Sequence, residues 1–134
     1  MQGRYSEALS FLDKYRLQNG HEPPMITAER GFAAASLGDR KTALKCLNQL
    51  RAPAPPSYVD SYLLATVYLG LKDFDNAFLM LNRAVDQKSA FAISVFTDPH
   101  WKAVHDDPRF SHVLQRVGTL VAWVNFRPHV PVWG

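Results

Sequence analysis

The 134-residue sequence predicts an all-α fold: helix-turn-helix units stacked as a solenoid, closed at the C-terminal end by further helices. Three observations carry that expectation. The middle of the chain overlays on itself at an offset of 34 residues. Within each copy the apolar residues recur at three- and four-residue steps, the period of an amphipathic helix. Two Asp-Pro dipeptides near the end stand where helices begin.

The first element is 3–20, GRYSEALSFLDKYRLQNG, a helix whose buried face runs through Tyr5, Ala8, Leu12 and Tyr15. It matches the second helix of a unit, with no first helix before it. Each helix of a solenoid covers its neighbours, so this edge is expected to meet either preceding repeats of a longer protein or a second copy of the chain.

The two complete units are 24–57 and 58–91. Gly31 falls on Ala65, Ala34 on Tyr68, Asp39 on Asp73, Ala43 on Ala77, Leu47 on Leu81 and Leu50 on Ala84. Each unit reads as two helices joined by a polar turn, containing Gly38-Asp39-Arg40 in one and Lys72-Asp73-Phe74-Asp75 in the other. Where two helices cross closely, a side chain larger than methyl forces them apart. Gly31, Ala43, Ala65 and Ala77 therefore mark crossing points, and Leu47, Leu81 and Tyr68 fill the space beside them. Pro55 and Pro56 end the first unit, because proline cannot continue a helix.

The closure is 98–118, DPHWKAVHDDPRFSHVLQRVG, in which three histidines and three aspartates crowd together. A zinc site needs three or four converging ligands. His100 and His105 would sit about 140° apart around a helix, Pro108 separates His105 from His112, and no cysteine is near. Asp106 and Asp107 are adjacent and so point apart, which argues against a shared-proton pair. No phosphate-cradling glycine loop and no GxSxG elbow occur. The economical reading is two helices, 98–105 and 108–117, with Asp98 and Asp107 as caps and Pro99 and Pro108 in the first turns. Trp101, Val104, Phe110, Val113, Leu114 and Val117 form their apolar face, Gly118 is the expected C-terminal cap, and the histidines are incidental. The last stretch, 119–134, is an apolar tail with two tryptophans, a phenylalanine and four valines. It is expected either to pack on its own domain or to meet a partner.

Composition narrows the function classes. A hydrophobic content of 47% with 20% charged residues suits one soluble globular domain. The formal charge is +3 and the pI about 9.2, but the charge is scattered and Arg40-Lys41 is the sole adjacent basic pair. Nucleic acid is therefore a disfavoured partner, although Lys41, Lys45 and Lys88 would serve a nucleic-acid-binding repeat. The single Cys46 excludes an internal disulfide and reads as a small buried thiol. No apolar run reaches membrane-spanning length and no secretory leader opens the chain. The expected location is the cytoplasm, with no membrane partner and no cofactor.

The two units resemble the tetratricopeptide repeat, whose 34-residue unit carries small residues at its eighth, twentieth and twenty-seventh positions. Residues 58–91 match through Leu64, Ala65, Tyr68, Phe74, Ala77, Leu81 and Ala84. Residues 24–57 match through Gly31 and Ala43 but depart at Ala34 and Leu50. The ending is similar to the DPxWxxxxDDPRFxxLLxRxG segment that follows such repeats in bacterial regulators and signalling enzymes.

The resemblance implies a concave groove lined by the first helix of each unit. Its positions are Met25, Ala28, Phe32, Ala35 and Ser36, then Val59, Tyr62, Thr66, Leu69 and Gly70. Lysine, asparagine and arginine at fixed groove positions grip a peptide's terminal carboxylate in chaperone-binding members. Here Ala28, Tyr62, Phe32 and Thr66 occupy such positions, so that mode is disfavoured. The expected site consists of Met25, Ala28, Phe32, Val59, Tyr62, Thr66 and Leu69, taking an amphipathic helix or an extended apolar peptide. The expected function is protein–protein interaction without catalysis, as the scaffold or sensory part of a larger bacterial protein. The alternatives are a homo-oligomer formed through the N-terminal edge or the tail, and a nucleic-acid-binding repeat.

Overall fold

A computed structural model describes residues 2–19, 22–51 and 60–125. Among them every regular element is helical: α1 (Gln2–Asn19), α2 (Pro24–Ser36), α3 (Arg40–Arg51), α4 (Ser61–Gly70), α5 (Phe74–Asp86), the 3₁₀ segments η1 (Ala90–Phe96) and η2 (Pro99–Val104), and α6 (Pro108–Asn125). The fold is all-α. The prolines expected to end the first unit, Val59 and residues 126–134 of the tail lie outside the described residues.

The helix-to-helix turns repeat as the sequence does. After α2 the Asp39 amide donates to the Ala34 carbonyl at 2.8 Å, and after α4 the Asp73 amide donates to the Tyr68 carbonyl at 3.0 Å. This is the bond that closes a Schellman turn, and it needs a left-handed residue just before the donor. Gly38 supplies φ 88° in the first turn and Lys72 φ 60° in the second. Asp39 and Asp73 then cap the following helices, accepting from the amides of Thr42 at 3.1 Å and Asn76 at 3.3 Å. Each of these features recurs at the 34-residue offset.

Packing follows the small residues. Helix α2 lies against α1, α3 and α4, and α4 lies against α2, α3 and α5. A Cβ at Gly31 would come within 2.9 Å of Val67 and 3.0 Å of Cys46, and one at Gly70 within 3.1 Å of the Phe32 backbone. The two glycines are what allow α2 and α4 to meet. Helix α4, SYLLATVYLG, is apolar on nearly every side, and all ten of its residues are buried. It is the central helix of the described fold, as a helix without a polar face must be.

Ions fasten the outer helices. Arg30 of α2, 7% exposed, donates to Glu22 from Nε at 3.0 Å and Nη2 at 2.8 Å, and it also pairs with Asp13 of α1. Glu22 further accepts from Thr27 at 2.7 Å and Arg16 at 3.3 Å. Burial alone would push the Glu22 carboxyl up, but the hydrogen bonds from Arg30 and Thr27 outweigh it and hold it below its ordinary value. At the other end Arg116 of α6 donates to Asn82 of α5 at 2.7 Å and pairs with Asp86.

The closure differs from expectation in two respects. Residues 99–104 form a 3₁₀ segment, and a second one, Ala90–Phe96, precedes it, beginning at the last two residues of the second unit and filling a stretch to which the sequence assigns no element. Both are too short to propagate as α-helices, and Ser89 and Asp98 begin them by accepting from the amides of Phe91 and His100. Secondly, Gly118 is not a cap. Helix α6 runs through it to Asn125, because Val113 and Val117 are buried and Val121 continues the same stripe against the core. The first seven residues of the expected tail are therefore helix. The Asp98 and Asp107 caps stand as expected, with Asp107 accepting from the Arg109 amide at 2.8 Å, and Trp101 is only 1% exposed.

Candidate functional site

A cleft of about 550 Å³ is lined by residues of α1, α2, the α4–α5 turn and η2, with Tyr5, Phe32, Leu69, Gly70, Phe74 and His100 among them. A second hollow of about 330 Å³, between α1 and α2, shares Tyr5, Phe32 and His100 with it and adds Arg4, Phe11 and Glu29. Together they make one groove with Phe32 at its waist. The Phe32 ring meets Tyr5 edge-on at 6.0 Å and His100 edge-on at 4.3 Å.

The residues expected to line a groove divide into two sets. Phe32, Ala35, Ser36, Leu69 and Gly70 do line the cleft. Ala28, Tyr62 and Thr66 are buried at 1%, 4% and 3% exposure. For Tyr62 the reason is that η2 folds back on α4 and covers it, so a ligand would reach Tyr62 only by displacing η2. Met25 is half exposed and lines neither hollow. Val59 lies outside the described residues.

A polar node holds η2 down. Tyr62 donates its hydroxyl to Asp98 at 2.5 Å and accepts from the Trp101 indole at 3.0 Å. His100 pairs through Nδ1 with Asp98 and through Nε2 with Glu29 at 3.1 Å. The node thus joins η2 to α4 through Tyr62 and to α2 through Glu29. A second relay braces it: Asp60 accepts from the Tyr62 amide at 2.9 Å and from Ser89 at 2.5 Å. His100 is consequently no incidental residue. The sequence marks Asp98 as a cap, but nothing local signals a partner on α2.

Electrostatics fix the charge states. Burial by itself lowers the His100 pKa, yet the carboxylates of Asp98 and Glu29 overcome it and hold it up to about 9. Burial would raise Asp98, but hydrogen bonds from His100 and Tyr62 keep it below its ordinary value. Burial, reinforced by the hydrogen bond to Asp98, pushes the Tyr62 phenol well above its usual range. An imidazolium that donates from both nitrogens has no lone pair with which to accept a proton. The node is built to hold structure. Burial likewise pushes the Cys46 thiol up, away from the reactive thiolate. No group of three His, Cys, Asp or Glu side chains among the described residues converges as a metal site requires. No described helix is long and apolar enough to cross a membrane.

No family model matches the chain, and no curated protein or solved structure shows significant similarity to it.

Proposed function

We propose that the chain is a tetratricopeptide-like interaction module of a larger regulatory protein, holding a peptide in the groove through Tyr5, Phe32, Ser36 and the Leu69–Gly70 corner. The observation that carries this reading is the cleft itself. It is concave, apolar along its floor, with its rim residues on separate helices, the form in which peptide-binding surfaces offer side-chain pockets. The 34-residue recurrence of caps and turns supports the repeat assignment. An extended segment suits the open groove better than a full amphipathic helix, because Tyr62 and Thr66 are already covered.

The test is selection from a displayed library of random peptides against the full chain. Ala103 lines the cleft and is exposed, so Ala103→Trp plugs it without entering the core. Selected peptides are expected to bind the unaltered chain and to lose about tenfold or more in affinity for this variant, as for an obstructed hot spot. Equal affinity for both would refute the reading.

A second reading, self-association through α1, rests on Phe11, which is 68% exposed on that helix. It predicts a mass that rises with concentration and falls back with Phe11→Ser.

A further inference from the structure

The larger cleft has a charge as well as a shape. Three of its lining residues are basic, Arg40, Lys72 and His100, and none is acidic. The charge of His100 is neutralised by Asp98 and Glu29. Among the described residues Arg40 and Lys72 have no carboxylate partner within salt-bridge distance. The aspartates beside them in sequence do not fill that role. Asp39 is bound to the amide and hydroxyl of Thr42, and Asp73 to the amide and side chain of Asn76. Two unopposed cations therefore stand at the rim of a cleft whose floor is Phe32, Leu69, Leu71 and Phe74.

We infer that the cleft takes an acidic peptide segment, one that places an apolar or aromatic side chain between Phe32 and Phe74 and a neighbouring carboxylate against Arg40 and Lys72. This rests on the peptide-binding reading and specifies its ligand. Cations at the rim of an apolar cleft select by charge complementarity, adding specificity and encounter rate to the contact made by the floor. A basic segment would bring like charges together, and an uncharged one would leave both cations without partners.

Lys72 permits an unusual test. It holds a left-handed φ of 60° at the place where the first unit has Gly38, a conformation glycine adopts without strain. Lys72→Gly therefore removes the cation while favouring the turn, so a loss of binding cannot be blamed on unfolding. The probes are two fluorescein-labelled peptides of equal length with a leucine-phenylalanine centre, one flanked by aspartates and the other by asparagines.

Fluorescence anisotropy at low salt is expected to show the acidic peptide binding about fivefold more tightly, the size expected of two exposed ion pairs. The gap should close as salt is added. The double variant Lys72→Gly/Arg40→Gln should bind both peptides with the affinity of the neutral one, and Lys72→Gly should melt no lower than the unaltered chain. Equal binding of the two peptides would overturn the acidic preference and leave the peptide reading standing. Binding of neither would overturn both. Displacement of the acidic peptide by a single-stranded oligouridylate at lower concentration than by unlabelled peptide would assign the cations to phosphate and overturn the inference.

Discussion

His100 Nε2 lies 3.1 Å from a carboxylate oxygen of Glu29, 71 positions earlier in the chain, while Nδ1 of the same ring pairs with Asp98 of its own turn. One imidazolium thus clamps the C-terminal closure onto the first helix of the first unit and seats Phe32 against its edge. Phe32 and His100 both line the groove that the clamp borders.

Stability should fall in alkali as a result. The His100 pKa in the folded chain, about 9, lies above its ordinary 6.5. Its contribution is complete below about pH 6.5 and is lost as pH rises through about 9. At 1.36 kcal/mol per unit of pKa, the loss is on the order of 3 kcal/mol at most. His100→Gln, which keeps the size but not the charge, should be less stable near pH 6 and should show a flatter profile between these limits. Denaturant titrations of both proteins at pH 6 and pH 9 check this; parallel profiles would contradict it.

Glu22 should matter at the acid end and at the other edge. Its carboxylate is 6% exposed against Arg30, and its folded pKa lies below 4.5. Its contribution is therefore present above about pH 4.5 and disappears as pH falls through the lowered value. Glu22→Gln leaves Arg30, among the described residues, the exposed Asp13 as its one carboxylate, and should cost about 3 kcal/mol, as breaking buried pairs does. Because the pair ties α1 to α2, amide exchange should accelerate more in α1 than in α4.

The glycines give opposite predictions. Gly31→Ala places a Cβ within 2.9 Å of Val67, and overpacking of about 1–3 kcal/mol should exceed the gain in helix propensity of up to about 1 kcal/mol. Apart from its chain neighbours and the backbone of its own helix, nothing lies within 4 Å of where a Cβ at Gly118 would sit, and Gly118 lies inside α6. Gly118→Ala should therefore stabilise by about 1 kcal/mol. Thermal melts of the two variants moving in opposite directions would support the continuous helix; a destabilised Gly118→Ala would restore the helix end that the sequence suggests.

These cases show what the sequence discloses. The recurrence of the two turns was legible in Asp39 and Asp73 at their 34-residue offset, but the left-handed Lys72 of the second turn was not, because lysine gives no local sign of that conformation. Gly31, Ala43, Ala65 and Ala77 do sit at buried positions in packed helices. The Trp101 and Phe110 plug was legible from the spacing of apolar residues after two caps. The extent of α6 was not, because glycine reads locally as a stop while burial of Val117 and packing of Val121 beside it favour continuation. Nor was the division of the groove. Position within a repeat places Tyr62 and Phe32 alike on a first helix, and only the return of η2, fixed by contacts dozens of residues apart, covers one and leaves the other lining the cleft.

Peptide binding in the cleft is tested most directly by a map of amide chemical shifts in the labelled full chain as the peptide recovered by library selection is titrated in. Shifts are expected to concentrate at Tyr5, Phe32, Ser36, Gly38, Gly70, Lys72 and Ala103, with the amides of η1 and the outer turns of α6 unmoved. Shifts centred instead on Phe91 and Phe96, or spread without focus over the surface, would contradict it.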